Sequence, residues 1–221
     1  MFAFLPPRPP VPEELVAKIR PVSLAGDRRV ALAAPWSGLL AEGGLRRGST
    51  LVVAGAPGTG GLTLALGLLA GATAMGSWGA VVGVDNPGVV AMADLGVDLA
   101  RTLLVPRPRG LWAEVVGDLI DGIDVIVLRP PGRVPPRLAH RVADRVRERG
   151  AVLVPVVDAG GWPVPPDLTL GIAQARWRGT SRLESRTMTL QLTGRGGVRS
   201  REHTVEMPDR HGRLRGAAWS D

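Results

Sequence analysis

Continuously apolar segments that alternate with helical segments constrain the fold of this chain more than any other feature. The predicted strands are Leu51–Ala54, Ala80–Asp85, Thr102–Val105, Val125–Leu128 and Ala151–Val157, and the predicted helices are Leu62–Met75, Val89–Leu95, Leu111–Ile120 and Arg137–Arg149. Strands that are apolar along their whole length are usually buried on both faces, as in a parallel sheet covered by helices. We therefore predict an α/β fold with a mainly parallel, twisted sheet flanked by helices.

The two ends of the chain have different patterns. After Gly160, glycine-rich turns separate three segments that are typical of antiparallel strands, namely Leu170–Trp177, Ser185–Leu192 and His203–Met207. The first 11 residues are rich in proline and predict a flexible arm, and a short helix is predicted to follow it. We expect an arm and a short helix in residues 1–25 and a single domain in residues 26–221. That domain would comprise an α/β core, residues 26–160, and a basic β extension, residues 161–221.

A glycine-rich loop joins the first of these strands to the first helix. Its sequence, AGAPGTGGLT, has the strand–loop–helix context of the phosphate-binding signature G-x-x-x-x-G-K-[ST]. Gly61 stands in place of the lysine that neutralises phosphate charge, and Leu62 stands in place of the hydroxyl that binds Mg²⁺. We therefore predict a degenerate nucleotide site without turnover, whose loop positions are Gly55, Gly58, Gly60, Gly61 and Thr63. Thr63 should face elsewhere, because consecutive helical residues point about 100° apart. Weak anion binding at the start of the helix is the alternative to a purely structural turn.

These segments resemble the core of the RecA recombinase family. Gly44–Ser49 is similar to that family's approach to the first strand, Leu95–Asp98 followed by Leu103–Val105 is similar to a later segment, and Asp124–Leu128 is similar to the strand that carries the second nucleotide motif. The resemblance covers roughly residues 30–160 and implies a RecA-like core. It also implies an Mg²⁺-holding aspartate after Leu128, where Arg129 stands instead and would repel a metal ion.

Asp85 falls near the place where the resemblance implies a water-activating glutamate. A single carboxylate without a lysine, a metal ion or a second acid is more typical of the end of a strand. Together with the altered loop and Arg129, it leads us to expect that the chain is not an enzyme and has no cofactor.

The C-terminal part of the chain contains an arginine-rich tail with Arg176, Trp177, Arg178, Arg182 and Arg186. This tail and the small size of the chain resemble the ImuA group of RecA-like mutasome accessory proteins, and more specifically the actinobacterial ImuA-prime type. The resemblance implies a non-catalytic subunit of SOS-induced, error-prone translesion DNA synthesis. Its partners would be an ImuB-like inactive Y-family polymerase homologue and, indirectly, an error-prone DnaE-type polymerase, with single-stranded DNA as a further candidate. A divergent ATPase that takes its lysine and acid from a neighbouring subunit, and a SulA-like cell-division inhibitor, are the alternatives.

Positive charge is concentrated in the C-terminal part of the chain. The net charge is +7: residues 1–128 contain 10 basic and 11 acidic side chains (net −1), whereas residues 129–221 contain 17 and 9 (net +8). This asymmetry favours an anionic or acidic partner for the C-terminal part. A genome whose codons favour arginine would explain why all 17 of those basic residues are arginines, but not why they are concentrated there.

Two sets of arginines are candidates for contacting a partner or DNA. The first comprises Arg137, Arg141, Arg145 and Arg149, which recur every four residues on a predicted helix. Its alternative is a solvated face paired within the helix with Asp144 and Glu148. The second is the tail set, in which arginines and Trp177 suit phosphate contact with base stacking, or an interface anchor. Its alternative is a hairpin with Trp177 in the core and the arginines pointing outward.

Several classes of site are not expected. The absence of cysteine excludes disulfides and thiolate metal sites. No apolar run reaches transmembrane length, and the proline-rich N-terminus does not resemble a signal peptide, so we expect a cytoplasmic protein, nucleoid-associated when DNA is damaged, without a membrane partner. The three histidines, His140, His203 and His211, are far apart and are expected at the surface, so no metal site is predicted.

Overall fold

The computed structural model describes residues 29–40, 43–158, 160–180, 183–195, 200–209 and 215–216. The arm and short helix that were predicted in residues 1–25 lie outside these ranges, as do Arg182 and His211. Within the described ranges, no helix has both the length and the apolar character needed to cross a membrane.

Most of the described chain forms a sheet of nine strands with helices packed on it. The strands of the chain are β1 (Arg29–Ala31), β2 (Gly44–Arg46), β3 (Ser49–Ala54), β4 (Gly79–Val82), β5 (Thr102–Val105), β6 (Val125–Leu128), β7 (Val152–Val157), β8 (Leu168–Arg178), β9 (Ser185–Gly194), β10 (Arg201–Glu206) and β11 (Arg215–Gly216). The α-helices are α1 (Gly61–Ala74), α2 (Val89–Asp94), α3 (Trp112–Leu119) and α4 (Pro136–Arg149), and the 3₁₀ helices are η1 (Trp36–Leu39), η2 (Leu99–Arg101) and η3 (Arg109–Leu111).

The large sheet combines a parallel part with an antiparallel part. Its order is β11-β10-β9-β8-β3-β7-β6-β4-β5. The six strands from β8 to β5 in this order are parallel to one another, whereas the β8–β9, β9–β10 and β10–β11 pairs are antiparallel. The predicted fold class, a mainly parallel α/β sheet with C-terminal antiparallel strands, is therefore confirmed. Because β8 pairs with β3, the basic β extension continues the core sheet.

Alternating side chains of the parallel strands enter two separate cores. Leu51 and Val53 of β3 pack on the side of α1, whereas Val52 packs on the side of α3 and α4. This arrangement follows from the two-residue period of a strand, and it explains why the strands are apolar at every position. The helix α4 is amphipathic, since it buries Val142 and Val146 and exposes most of its arginines.

The helix α1 is covered on its outer side as well, by a segment that the sequence analysis did not predict. The strands β1 and β2 form a two-stranded antiparallel sheet, and η1 between them places Trp36 on α1. A Cβ atom on Gly67 would overlap the Trp36 indole, and one on Gly71 would lie 2.9 Å from the Trp36 Cβ. The sheet on one side and Trp36 on the other account for the apolar character of α1 around its whole circumference.

Candidate functional site

The glycine-rich loop forms a tight connection between β3 and α1. Gly58 and Gly60 have φ angles of +81° and +103°, in the left-handed region that side chains disfavour. The Thr59 hydroxyl and backbone N–H both donate to the Ala56 carbonyl oxygen, at 2.7 and 3.2 Å. Gly60 is the N-cap residue of α1 and has no side-chain cap. The first N–H groups of α1 therefore have no intrahelical partners, and groups of this kind can bind an anion at the start of a helix.

A cavity of about 780 Å³ lies above this loop, at the carboxyl ends of β3, β6 and β7. In open parallel sheets this edge is where ligands usually bind, and the volume is within the range of small-molecule sites. The five predicted loop positions, Gly55, Gly58, Gly60, Gly61 and Thr63, all line the cavity. We expected Thr63 to face elsewhere, but the cavity is wide enough to be bounded by the whole first turn of α1.

Arg186, on β9, reaches this loop from the antiparallel part of the sheet. A Cβ atom on Gly60 would overlap its guanidinium group, which also lines the cavity. The side chain is only 4% exposed. Its Nε donates to the Met207 carbonyl oxygen at 3.0 Å, and its Cζ lies 5.0 Å from the centre of the Trp177 ring. Its Nη2 is buried and has no hydrogen-bond partner among the described residues.

The Arg186 guanidinium keeps its charge in this setting. Burial removes water from the group and lowers its pKa from the ordinary value of arginine. Because arginine is not deprotonated in proteins at neutral pH, a desolvated positive charge is held against the glycine loop.

Two further arginines lie across the cavity, in the segment that follows β6. Arg129 and Arg133 are exposed, line the cavity, and form no ion pair with a described residue. The one acidic residue of the lining is Asp158, so three arginines against one aspartate leave a net charge of +2. The described part of the chain contains no group of three His, Cys, Asp or Glu residues that could hold a metal ion. The cavity therefore favours anions.

Asp85 does not belong to this site. It lies beyond the end of β4 and outside the cavity lining. Its exposed carboxylate forms an ion pair of 3.3 Å with the Nε of Arg107. The structure thus places Arg129 at the cavity and Asp85 away from it.

The tail set of arginines is divided between the two faces of the β8–β9 hairpin. Trp177 lies directly opposite Arg186, whereas Arg178 and Arg176 are its neighbours in β8 and therefore point to the other face. Arg176 and Arg178 are exposed, and Trp177 is 44% exposed. The alternative with Trp177 in the core and every arginine pointing outward is therefore wrong.

Sequence reasoning missed the position of Arg186, although a signal was present. Arg186 continues the two-residue period of Met188, Leu190 and Leu192, which are all buried. Strict alternation along β9 thus predicts that Arg186 points inward with them. The positive charge of Arg186 had instead favoured a surface position.

The arginines of α4 are mostly paired with carboxylates of the preceding helical segment. Arg145 and Arg149 both contact Asp121, at 2.9 and 3.2 Å, and Arg141 contacts Glu114 at 3.4 Å. The predicted pairing of this stripe with Asp144 is wrong, because Asp144 pairs with Arg147 instead, at 2.9 Å. The fourth member, Arg137, is exposed and forms no ion pair with a described residue.

The histidines differ from the expectation at one position. His140 on α4 is exposed, as predicted. His203 on β10 is only 6% exposed, so its predicted surface position is wrong. Burial lowers the pKa of His203 from its ordinary value, because the interior disfavours the charged imidazolium.

Residues 38–164 match the family model described as the MT3502 N-terminal domain. The chain belongs to this family. The matched region includes the glycine loop, Arg129, Arg133 and α4, and it ends before β8, so Arg186 lies outside it. The chain is also 38% identical over 131 residues to the uncharacterized protein Rv3395c of Mycobacterium tuberculosis (strain ATCC 25618 / H37Rv), a match that covers 55% of this chain and 63% of that protein. The chain thus spans less than two thirds of this relative's length. Neither description names a RecA-like or ImuA-type protein, so that resemblance stays a prediction.

Proposed function

We propose that this protein is a non-catalytic, RecA-like accessory subunit of SOS-induced, error-prone translesion DNA synthesis. It would act as an adaptor between an ImuB-like inactive Y-family polymerase homologue and an error-prone DnaE-type polymerase. One observation carries the proposal: the strand–glycine loop–helix arrangement of a phosphate loop is intact, while Gly61, Leu62 and Arg129 replace its lysine, its hydroxyl and its metal-holding acid. The partners come from the resemblance of the sequence to the ImuA group.

The geometry of the cavity supports a role without hydrolysis. Phosphoryl transfer requires an Mg²⁺ ion held by an acid and a hydroxyl, and a residue that orients the attacking water. The cavity lining contains one carboxylate, Asp158, together with three arginines, which repel a divalent cation. Asp85 is outside the lining and is paired with Arg107. A protein with this site works through the surfaces that it offers to other molecules.

The β8–β9 hairpin provides the surface that suits an acidic partner segment or a DNA strand. Arg176 and Arg178 are exposed on one face and form no ion pair with a described residue, and Trp177 is exposed on the other. The arginines of α4 suit this role less well, because three of the four already have carboxylate partners. We therefore place the partner contact on β8.

Co-expression with the ImuB-like protein tests the proposal. We expect the two proteins to elute together in size-exclusion chromatography, and the double variant Arg176→Ala/Arg178→Ala to bind about tenfold more weakly or worse, since two charged contacts are lost. The matched control Arg46→Ala/Arg201→Ala removes the same charge from exposed positions elsewhere and should bind as the unmodified protein does. No association at micromolar concentrations, or equal losses in both double variants, would contradict the proposal.

Direct DNA contact is measured separately, with a single-stranded oligonucleotide at several salt concentrations. If Arg176 and Arg178 each contact a phosphate, the double variant should reduce the slope of log K against log salt by about 1.4, because each contact contributes about 0.7 for single strands. An unchanged slope would exclude these residues from DNA binding and leave the protein–protein role.

A divergent ATPase is the second candidate, and the position of Arg186 is the observation that favours it. A cation against Gly60 could perform part of the role of the missing lysine. A turnover assay with Mg-ATP, with and without DNA, separates the two functions. Hydrolysis that DNA stimulates would replace the adaptor proposal with the enzyme, and filamentation of cells on overexpression, without association with the ImuB-like protein, would favour a cell-division inhibitor.

A further inference from the structure

The glycine-loop cavity holds a buried positive charge that no described residue balances. Arg186 is 96% buried, since 4% of it is exposed, and its Nη2 has no hydrogen-bond partner among the described residues. An unpaired group of this kind is costly in a folded protein, and a charged one more so. Because the guanidinium lies against Gly60 and lines the cavity, a ligand bound at the loop would lie beside this buried charge.

We propose that this cavity binds the diphosphate or triphosphate group of a small molecule without a metal ion, and that Arg186 supplies the buried positive charge that Gly61 lacks. The site is assembled from two distant parts of the chain. The loop and the start of α1 provide backbone N–H groups, and β9 provides the guanidinium. The inference does not rest on the translesion role, which uses the exposed face of β8.

The backbone of the loop is shaped for an anion. The uncapped N-terminus of the 14-residue helix α1 faces the cavity, with the partial positive charge of its free N–H groups. Glycines at 58 and 60 let the chain turn closely enough for these groups to converge. The Arg186 guanidinium is a planar fork of N–H donors, a geometry that suits phosphate oxygens.

Arg129 and Arg133 complete the site from the opposite wall. In metal-dependent sites Mg²⁺ neutralises the charge between neighbouring phosphates. In this cavity Arg129 occupies the position of the acid that would hold the metal ion, so it would repel the ion. The same guanidinium can donate a hydrogen bond to a phosphate oxygen. The arginine at position 129 therefore opposes metal-dependent hydrolysis and favours the binding of phosphate without a metal ion.

A compact phosphorylated molecule fits this site better than a nucleic-acid backbone. The volume of about 780 Å³ accommodates a nucleotide-sized ligand. A terminal phosphate carries more than one charge and can enter the loop end-on to reach the buried Arg186. A phosphodiester linkage carries one charge and would have to bring a sugar on each side into the cavity.

Isothermal titration with ATP and with sodium tripolyphosphate, both in EDTA, tests the inference. We expect binding whose dissociation constant changes less than about threefold when Mg²⁺ replaces EDTA, since metal is not part of the site. Arg186→Met should weaken binding about tenfold or more, and Arg129→Ala/Arg133→Ala should do so by a similar factor. The control Arg46→Ala/Arg201→Ala, which removes two charges outside the cavity, should change the constant less than twofold.

Two measurements keep the inference testable if Arg186→Met does not fold. The first is the Arg129→Ala/Arg133→Ala variant, since both side chains are exposed. The second is tryptophan fluorescence: because the Arg186 guanidinium lies 5.0 Å from the Trp177 ring, tripolyphosphate should change the emission, and Trp177→Phe should abolish that change. The translesion proposal predicts neither result, so the two proposals can fail separately.

Four outcomes would overturn the inference. They are no binding in EDTA at millimolar ligand, a requirement for Mg²⁺, equal weakening by the cavity and control variants, and a single-stranded oligonucleotide that displaces ATP and is itself lost in Arg129→Ala/Arg133→Ala. The last result would assign the cavity to a nucleic-acid backbone.

Discussion

Arginines occur in two electrostatic settings in this molecule, on α4 and around the glycine-loop cavity. On α4, Arg141, Arg145 and Arg149 contact carboxylates of the neighbouring helical segment. Around the cavity, Arg186 and its companions at 129 and 133 form no ion pair with a described residue. The same side chain is therefore part of the surface structure in one region and available to a ligand in the other.

The difference arises from what lies next to each set. The helix α4 packs beside α3, and its arginines form ion pairs with Glu114 and Asp121. The cavity lies at the start of α1, which is already electropositive, and its lining has the single acid Asp158. Exposed ion pairs contribute only about 0–1 kcal/mol each, so the α4 pairs neutralise charge more than they stabilise the fold. The number of arginines thus indicates less about binding than their partners do.

The largest expected effect on stability comes from adding a methyl group in the space that Arg186 occupies next to the loop. Gly60→Ala should lower the free energy of unfolding by about 2–3 kcal/mol, because the residue has a φ of +103° and its new methyl group would overlap the guanidinium. Urea denaturation measures the change.

The neighbouring glycine provides the matched control. At Gly61 a Cβ would meet only ordinary contacts, the nearest at 3.5 Å from Val156. Gly61→Ala should therefore leave stability unchanged or raise it by up to about 1 kcal/mol. Equal losses in the two variants would contradict the strained backbone at Gly60 together with the Arg186 guanidinium above it.

A smaller effect on stability is expected from removing the carboxylate that forms ion pairs with two arginines of α4. Asp121→Ala breaks the contacts with Arg145 and Arg149 and should cost about 1 kcal/mol at low salt, with a smaller loss in molar salt. The control Asp118→Ala removes an exposed acid of α3 without a described ion pair, and urea denaturation should show little change. A loss in Asp118→Ala as large as in Asp121→Ala would remove the distinction between paired and unpaired charges.

The smallest expected effect extends the comparison from arginine to histidine. The pKa of His203 is lowered by burial, so the unfolded chain binds a proton first as the pH falls. The free energy of unfolding should therefore decrease below about pH 6.5, the ordinary pKa of histidine, until the pH passes the lower folded value. His203→Gln should flatten this decrease in urea titrations between pH 5 and 7, whereas His140→Gln, at an exposed position on α4, should not. A decrease that survives in His203→Gln would assign the proton to another group.

Much of the fold could be predicted because its signals are local. The apolar strands β3 to β7 and the helices between them each lie in one continuous segment, and the strand period of two or the helix period of 3.6 is visible there. The pair β1–β2 was missed because each strand has three residues, too few for a period to appear. The parallel pairing of β8 with β3 was also missed, since the sequence of neither segment indicates which strand it pairs with.

The candidate site was predictable only in part, for the same reason. The glycine loop and the loss of its lysine and hydroxyl are visible in a few adjacent residues. Arg186 is brought to Gly60 by the pairing of β9 with β8 and of β8 with β3, which are long-range contacts. The alternation along β9 indicates that the Arg186 side chain points inward. It does not indicate which cavity the side chain lies beside.

By itself, the sequence determined that apolar strands would be buried in a helix-covered sheet and that Gly61 and Leu62 stand where the phosphate-loop signature has a lysine and a hydroxyl. Only the tertiary structure decided which arginines keep their charge unpaired, because pairing depends on the distance between side chains from separate elements. Asp121 lies within 2.9 Å of Arg145, whereas no described carboxylate forms an ion pair with Arg186. Electrostatic energy varies with separation and burial, and neither can be obtained from the order of residues alone.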